Sequence, residues 1–360
     1  MIFYLSPPRE YVNSDFNLDN LFKTRSSGTS GKVLPIYVDS EAIIIDTLQG
    51  IRQFYLQSEG KYSKEDILVH IYTVPWWVDS IEGDYQTVFI SSLISPEKIA
   101  QILRDIQPEI ISLYPSNLKS LLPYLVDQQI KRNLYLIVVH SEMSSREERR
   151  LYSDIIGVPV LDEYSSEELT RIALELPCGH YHICEDTVRL DVLDPDTLKP
   201  INKGTGLAVA TNLLNIAMPF IRYFQGDYIS VEEEKKCNIN WRQIEKVEGR
   251  VNDSFLTKYG KEIPAGTLLD ITYRMMFDTG INIKEFSLIQ KDYNLVLLKI
   301  YDPELQNSQE KIDLLVKKLK ELLSTTFGYS VEVNLEFSES PLIKLGVSKR
   351  RVIVRDLQNK

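Results

Sequence analysis

Leu134-Tyr135-Leu136-Ile137-Val138-Val139 is a strongly apolar run, followed by a charged, helix-patterned stretch at 145–156 and a second short apolar run at 158–161. Strand, helix and strand in that order predict part of an α/β layer with a largely parallel sheet. The alternation extends outward toward the N-terminus. Strands are expected at 34–38, 67–72, 87–91 and 110–113, with helices at 40–56, capped by Asp39 or Ser40, at 96–106 and at 117–126. Toward the C-terminus the texture changes at Thr187 to strands at 188–192, 207–211, 221–224 and 229–231, a β-rich lobe beside the first layer. From Gly249 onward the order is strand, helix (267–276), two strands (283–289 and 294–301), a long helix (308–325) and a strand (330–337). That is a split βαβ-type unit of about a hundred residues, the size of a small α+β domain. Gly249 and the polar run Asn252-Asp253-Ser254 place a boundary near Arg250, between an N-terminal domain over 1–250 and a C-terminal domain over 251–360.

The chain has 360 residues, enough for a substantial core in one large domain or two to three ordinary ones. No apolar run approaches the length of a membrane span, and Met1 to Leu5 leads into Ser6-Pro7-Pro8-Arg9 without a signal-peptide pattern, so no membrane partner and a cytoplasmic location are expected. The net charge is −10 with no strong basic cluster before the last dozen residues, which argues against a nucleic-acid partner. Three cysteines do not make a disulfide framework.

Near the N-terminus, Ser26-Ser27-Gly28-Thr29-Ser30-Gly31-Lys32 has the composition of a phosphate-handling loop. Glycines let backbone N–H groups approach an anion, the hydroxyls add donors, and the lysine supplies a positive charge. An NTPase P-loop needs glycine where Ser26 stands and Ser or Thr where Val33 stands, so that template fails.

The same residues resemble the Ser/Thr/Gly-rich loop of the adenylate-forming superfamily, and four further segments occur in the order of its phenylacetate-CoA ligase and capsule-synthesis branch. They are Tyr114-Pro115-Ser116; Asp162-Glu163-Tyr164-Ser165-Ser166-Glu167-Glu168; Pro219-Phe220-Ile221-Arg222-Tyr223-Phe224-Gln225-Gly226-Asp227; and Glu248-Gly249-Arg250-Val251-Asn252-Asp253. The resemblance implies a large N-terminal α/β domain with a β-rich lobe and a small, mobile C-terminal α+β domain. It also implies an AMP-forming acid–thiol ligase, which activates an aromatic or short carboxylic acid with ATP and transfers it to coenzyme A or to the phosphopantetheine of an acyl carrier protein. By the same resemblance, Ser27, Gly28, Thr29, Ser30, Gly31 and Lys32 hold phosphates. Tyr164 stacks near the adenine, with Ser166 beside it, and Asp227, following a turn glycine at a strand end, accepts the ribose hydroxyls. Arg250 touches ribose or phosphate. Glu168 holds Mg²⁺, with Glu167 competing for the role. Lys349 in the basic tail neutralises charge during adenylation, with Lys344 in reserve.

Two features depart from the family pattern. Ser165 stands where relatives have glycine, and Ser348 precedes Lys349 where they have glycine; both favour an alternative, a catalytically degenerate nucleotide- or carrier-binding relative. The segment before the phosphate loop is also shorter than in relatives, which leaves an acyl pocket open, rebuilt by Trp76 and Trp77, or closed by a second subunit in a homodimer. A kinase would need a base and metal carboxylates that do not occur in order. Finally, some members of the branch carry a zinc site whose pattern Cys178, His182 and Cys237 match, with Lys235 in place of one cysteine and either Cys184 or His180 left to complete a tetrahedral set.

Overall fold

Asp39 starts the first long helix because its backbone is extended and its carboxylate accepts a hydrogen bond from the Ala42 N–H at 2.9 Å, satisfying a donor that a helix N-terminus leaves open. The computed structural model describes residues 8–26, 34–75, 77–233, 237, 239–342 and 352–357. In chain order these form β1 (Phe22–Arg25), β2 (Pro35–Val38), α1 (Ser40–Gln57), β3 (Leu68–Tyr72), β4 (Thr87–Ser91), α2 (Pro96–Ile106), β5 (Ile110–Leu113), α3 (Pro115–Leu125), β6 (Leu136–His140) and α4 (Arg146–Ile156). There follow β7 (Val160–Ser166), β8 (Thr170–Glu175), β9 (Tyr181–Ile183), β10 (Val188–Leu193), β11 (Gly204–Asn212), β12 (Tyr223–Val231), β13 (Gln243–Ile244) and β14 (Lys246–Arg250). The rest comprises β15 (Phe255–Leu256), β16 (Glu262–Ile263), α5 (Ala265–Thr279), β17 (Glu285–Asp292), β18 (Leu295–Tyr301), α6 (Gln309–Phe327), β19 (Glu332–Phe337) and β20 (Ile353–Arg355).

The chain divides into two compact units. The first takes in the described residues up to Val247, apart from Met143–Leu151 and Gly226–Tyr228, which belong with the second. Its main sheet has the order β13-β9-β8-β7-β6-β5-β3-β4. Strands β4, β3, β5, β6 and β7 pair in parallel, and β8 and β9 continue antiparallel. Alternation along the parallel strands decides which layer each side chain joins. Ile111, Leu113, Ile137 and Val139 pack with Ile99 and Leu103 of α2 and Leu118 and Leu121 of α3. Their neighbours Leu68, Ile110, Leu136 and Val138 pack with Phe54 of α1 on the opposite face. A second sheet, β10-β11-β12-β14, supplies the β-rich lobe. This is the mixed α/β architecture with a parallel-rich sheet that the apolar runs predict.

In the second unit β17 and β18 form an antiparallel pair flanked by two parallel partners, giving the order β19-β18-β17-β20. Helices α5 and α6 supply Leu268, Met275, Leu315, Leu319 and Leu323 to its core, all fully buried. Among the described residues no helix is long and apolar enough to cross a membrane.

Three expectations need correction. The strand expected at 158–161 begins later and runs through Ser166, so Tyr164 and Ser166 lie in β7 itself. The strands expected at 221–224 and 229–231 are one continuous strand, β12, and Asp227 lies inside it rather than after a terminal turn. Gly226 accommodates this with φ +91, so sheet pairing overrides the turn preference of Gly-Asp. Strands β1, β8 and β9 were not expected; β8 carries the charged Arg171 and β9 is only three residues long, and both weaken a periodicity signal.

Candidate active site

In the first unit, β7 and the turn after it carry the nucleotide candidates. Tyr164 points into the core, and its hydroxyl accepts a hydrogen bond from Gln225 Nε2 at 2.8 Å. Ser166 Oγ accepts from the Leu169 N–H at 3.2 Å and so shapes the turn between β7 and β8. Glu168 is buried in that turn; its carboxylate accepts from the Tyr223 hydroxyl at 3.0 Å and its main-chain oxygen from Asn212 Nδ2 at 2.9 Å. Glu167 is exposed and accepts from Thr24 Oγ1 at 3.0 Å. The two adjacent carboxylates are thus separated by environment, and Glu168 is the one anchored, by Tyr223 of β12.

The phosphate-loop residues Ser27, Gly28, Thr29, Ser30, Gly31 and Lys32 lie outside the described residues, as do Trp76, Lys235, Lys344 and Lys349. What flanks the loop is defined. β1 and β2 pair with Arg25 opposite Pro35, and Ser26 and Leu34 are joined by two hydrogen bonds of 2.9 Å, so the ends of the stretch are tied together. Trp77 is partly exposed and meets Phe22 edge-on at 5.9 Å between ring centroids.

In the second unit, Asp227 is 5 % exposed and its Oδ1 lies 3.0 Å from Nε of the half-exposed Arg250. The two residues expected at the ribose therefore form one ion pair. Gly249, immediately before Arg250, has φ +93, and a Cβ there would stand 2.7 Å from the Met143 thioether. The Gly-Arg pairing thus has a local cause: the left-handed backbone at Gly249, next to the Met143 side chain, favours glycine just before the residue that reaches Asp227.

Cys178, His182 and Cys237 also come together, their donor atoms all within 4.8 Å of one another. Cys178 Sγ is 3.3 Å from His182 Nε2, and His180 Nδ1 is 3.1 Å from Cys237 Sγ. Cys184 is instead buried among Leu174 and Leu176. Of the two residues open for the fourth position, His180 is the one beside the cluster. Burial, and then the neighbouring His180, lower His182 to about 4, so its imidazole is a neutral lone-pair donor near neutral pH. Desolvation, and then the nearby Cys178, push the Cys237 thiol up to about 11. Two thiols and one or two imidazoles suit tetrahedral zinc, whose charge lowers thiol pKa values.

Sequence reasoning missed a second polar cluster in the first unit, on the α1 side of the parallel sheet. Arg171 of β8 is 4 % exposed; its guanidinium lies 2.6 Å from Asp46 of α1, donates to Gln53 Oε1 at 2.7 Å, and sits 3.9 Å from Glu163. Gly50 makes room for it, since a Cβ there would stand 3.0 Å from the Arg171 Nη2. His140 is the register partner of Glu163 on the adjacent strand, and its ring stacks on His70 of β3 at 5.5 Å. Burial, then His140 and Arg171, hold His70 well below the ordinary histidine value. Burial alone raises the Glu163 carboxyl, but Arg171 and His140, with hydrogen bonds from Ser165 and Gln53, bring it below the ordinary value. The available signal was a lone histidine or arginine inside otherwise apolar strands.

No family model matches the chain. It is 26% identical over 171 residues to phenylacetate-coenzyme A ligase of Thermus thermophilus, covering 45% of this chain and 38% of that enzyme. It is 24% identical over 336 residues to phenylacetate-coenzyme A ligase of Pseudomonas putida, covering 86% of this chain and 73% of that enzyme. Among solved structures it is similar to 2-hydroxyisobutyryl-CoA ligase in the postadenylation state in complex with 2-HIB-AMP, with a TM-score of 0.76 at 16% identity over 95% of this chain and 75% of the other.

Proposed function

We propose, from the premise that this chain is a phenylacetate-CoA ligase-like member of the adenylate-forming superfamily, that it activates a carboxylic acid with ATP and transfers the acyl group to a thiol. The acid's carboxylate oxygen attacks the α-phosphorus of ATP, the bond to the β-phosphate oxygen breaks, and pyrophosphate leaves. A thiolate then attacks the acyl carbonyl and AMP leaves. The acceptor is coenzyme A or a carrier protein's phosphopantetheine.

The observation that carries this reading is the buried Asp227 ion-paired to Arg250. A carboxylate held in one orientation by a guanidinium accepts a pair of hydroxyls without first being reorganised. We assign the phosphates to Ser27 through Lys32, Mg²⁺ to Glu168, the adenine to the neighbourhood of Tyr164 and Ser166, and the ribose to Asp227 with Arg250. Magnesium favours one or two carboxylates completed by substrate oxygens, which suits the single buried Glu168. Lys349, with Lys344 as its rival, stabilises the charge that builds between carboxylate and α-phosphate, and residues 251–360 move between the two half-reactions. Cys178, His182 and Cys237, with His180, hold zinc in a structural role; metal analysis of the purified protein, native and Cys178→Ser, tests that assignment.

ATP–pyrophosphate exchange with a panel of carboxylic acids tests the activity. Exchange dependent on both an acid and Mg²⁺ is the expected result. ATP binding without exchange for any acid points instead to a binding protein that has lost turnover, the reading that Ser165 and Ser348 favour.

A further inference from the structure

Between α1 and the α1-facing side of the parallel sheet lies a recess that opens to solvent. It is built wholly within the first unit. Its floor is His70, Ser112, His140, Glu163 and Arg171, and Ile51 and Phe54 of α1 form an apolar wall. The floor residues of β3, β5, β6 and β7 follow from register. His70 is opposite Ser112 and His140 opposite Glu163, all on the face that alternation turns toward α1, and His140 is the last residue of β6. That end of a parallel sheet is where open α/β folds place ligands.

The chemistry of the floor is specific. Lower on the same face the side chains are apolar: Leu68, Ile110, Leu136 and Val138. In the recess, beside Leu68, this face presents an imidazole pair, a hydroxyl and a carboxylate, with the Arg171 guanidinium next to them. A buried charged cluster is weak evidence of a stabilising role, because an apolar replacement is often as stable or more so. The one guanidinium is already engaged: Arg171 meets Asp46 and Gln53 and lies 3.9 Å from Glu163. A further negative charge in this recess would lack a counter-ion, whereas a neutral hydrogen-bonding group meets both donors and acceptors there.

We propose that this recess receives the side chain of the acid, and that the acid carries a neutral hydrogen-bonding group, a hydroxyl, on a small aliphatic or aromatic skeleton. The hydroxyl meets the His70, Ser112, His140 and Glu163 floor, and the skeleton lies against Ile51 and Phe54. The inference rests on the acid-activating reading above. A site built to hydrogen-bond a substrate hydroxyl discriminates strongly against the analogue lacking it, because its own polar groups are then left without solvent or ligand.

The test uses matched pairs of acids with the full chain: butyrate against 3-hydroxybutyrate, and phenylacetate against 4-hydroxyphenylacetate. Two readouts are taken, ATP–pyrophosphate exchange and direct binding by saturation-transfer NMR. The hydroxylated member of at least one pair should lead by about tenfold or more in kcat/KM. Glu163→Leu should collapse that preference. Because Glu163→Leu also removes a neighbour of Arg171, Ser112→Val is the second variant; it alters the floor without touching the ion pairs and should reduce the preference. Equal or better exchange with the unsubstituted acids overturns the proposal while leaving acid activation intact. If no acid supports exchange, acid activation fails, and binding still decides the recess: selective binding of the hydroxylated members sustains the proposal, and equal or no binding overturns it.

Discussion

Asp227 and His70 are both buried polar residues, and they make opposite kinds of prediction. Asp227 holds its carboxylate 3.0 Å from an Arg250 whose guanidinium is half-exposed and stays hydrated when the carboxylate is lost, so Asp227→Ala should leave the fold intact and act on ATP. Loss of two hydrogen bonds to a charged group should lower kcat/KM for ATP by about 2–4 kcal/mol. Unchanged kinetics in a folded variant would remove Asp227 from the ribose. His70 bears on stability. In the unfolded chain its imidazole takes up a proton near pH 6.5, while in the folded chain burial and then His140 keep it neutral well below that value. The unfolded state therefore binds more protons as pH falls below 6.5, and stability declines with it. Asp46 acts in the opposite sense, since burial raises its carboxyl against the pull of Arg171. The His70 share is thus read as a difference: urea midpoints between about pH 7.5 and about pH 5 should fall less steeply in His70→Asn than in the native chain.

At the level of elements, α6 illustrates what the amino-acid pattern can and cannot predict. Leu315, Leu319 and Leu323 recur at four-residue spacing on one face, so the helix and its buried side are legible from sequence, and all three are fully buried. Leu319→Ala should destabilise the second unit by about 2–5 kcal/mol, measured by urea unfolding; a loss below about 1 kcal/mol would mean the site collapses to fill the gap. The parallel strands were legible for the same reason, as continuous apolar runs bounded by helices. The exceptions are informative. β8 was hidden because Arg171 interrupts its apolar alternation, and β12 was split because Gly226-Asp227 imitates a turn. In both, the residue that spoils the local signal is one that a distant partner holds in place: Asp46 of α1 for Arg171, and Arg250 for Asp227. The Cys178, His182 and Cys237 cluster was legible only through spacing known from relatives, because Cys237 arrives from 55 positions beyond His182 in the sequence.

For the molecule as a whole, the outer side of α1 bears on assembly. Ile44, Leu48 and Tyr55 lie along one stripe of that helix and are each more than half exposed. Apolar side chains aligned on a solvent face mark a contact surface. We therefore expect a homodimer that covers the stripe, with light scattering at micromolar concentration giving twice the chain mass and Leu48→Glu returning it to the monomer. A native chain that is monomeric at every accessible concentration refutes this.

The ion pair between Asp46 and Arg171 joins positions 125 apart in sequence. A ribosome adding about 5–20 residues per second leaves a wait of about 6–25 s between the emergence of the two partners. During that interval any helix formed by the α1 segment carries an acidic side chain on the face destined for the sheet, and β7 cannot yet be flanked by β8. Early collapse of α1 onto an incomplete sheet is thereby discouraged, because it would bury an uncompensated carboxylate. We expect the arrangement that gives the recess its polar floor also to time assembly, deferring closure of the first unit until the strand that neutralises Asp46 has been made.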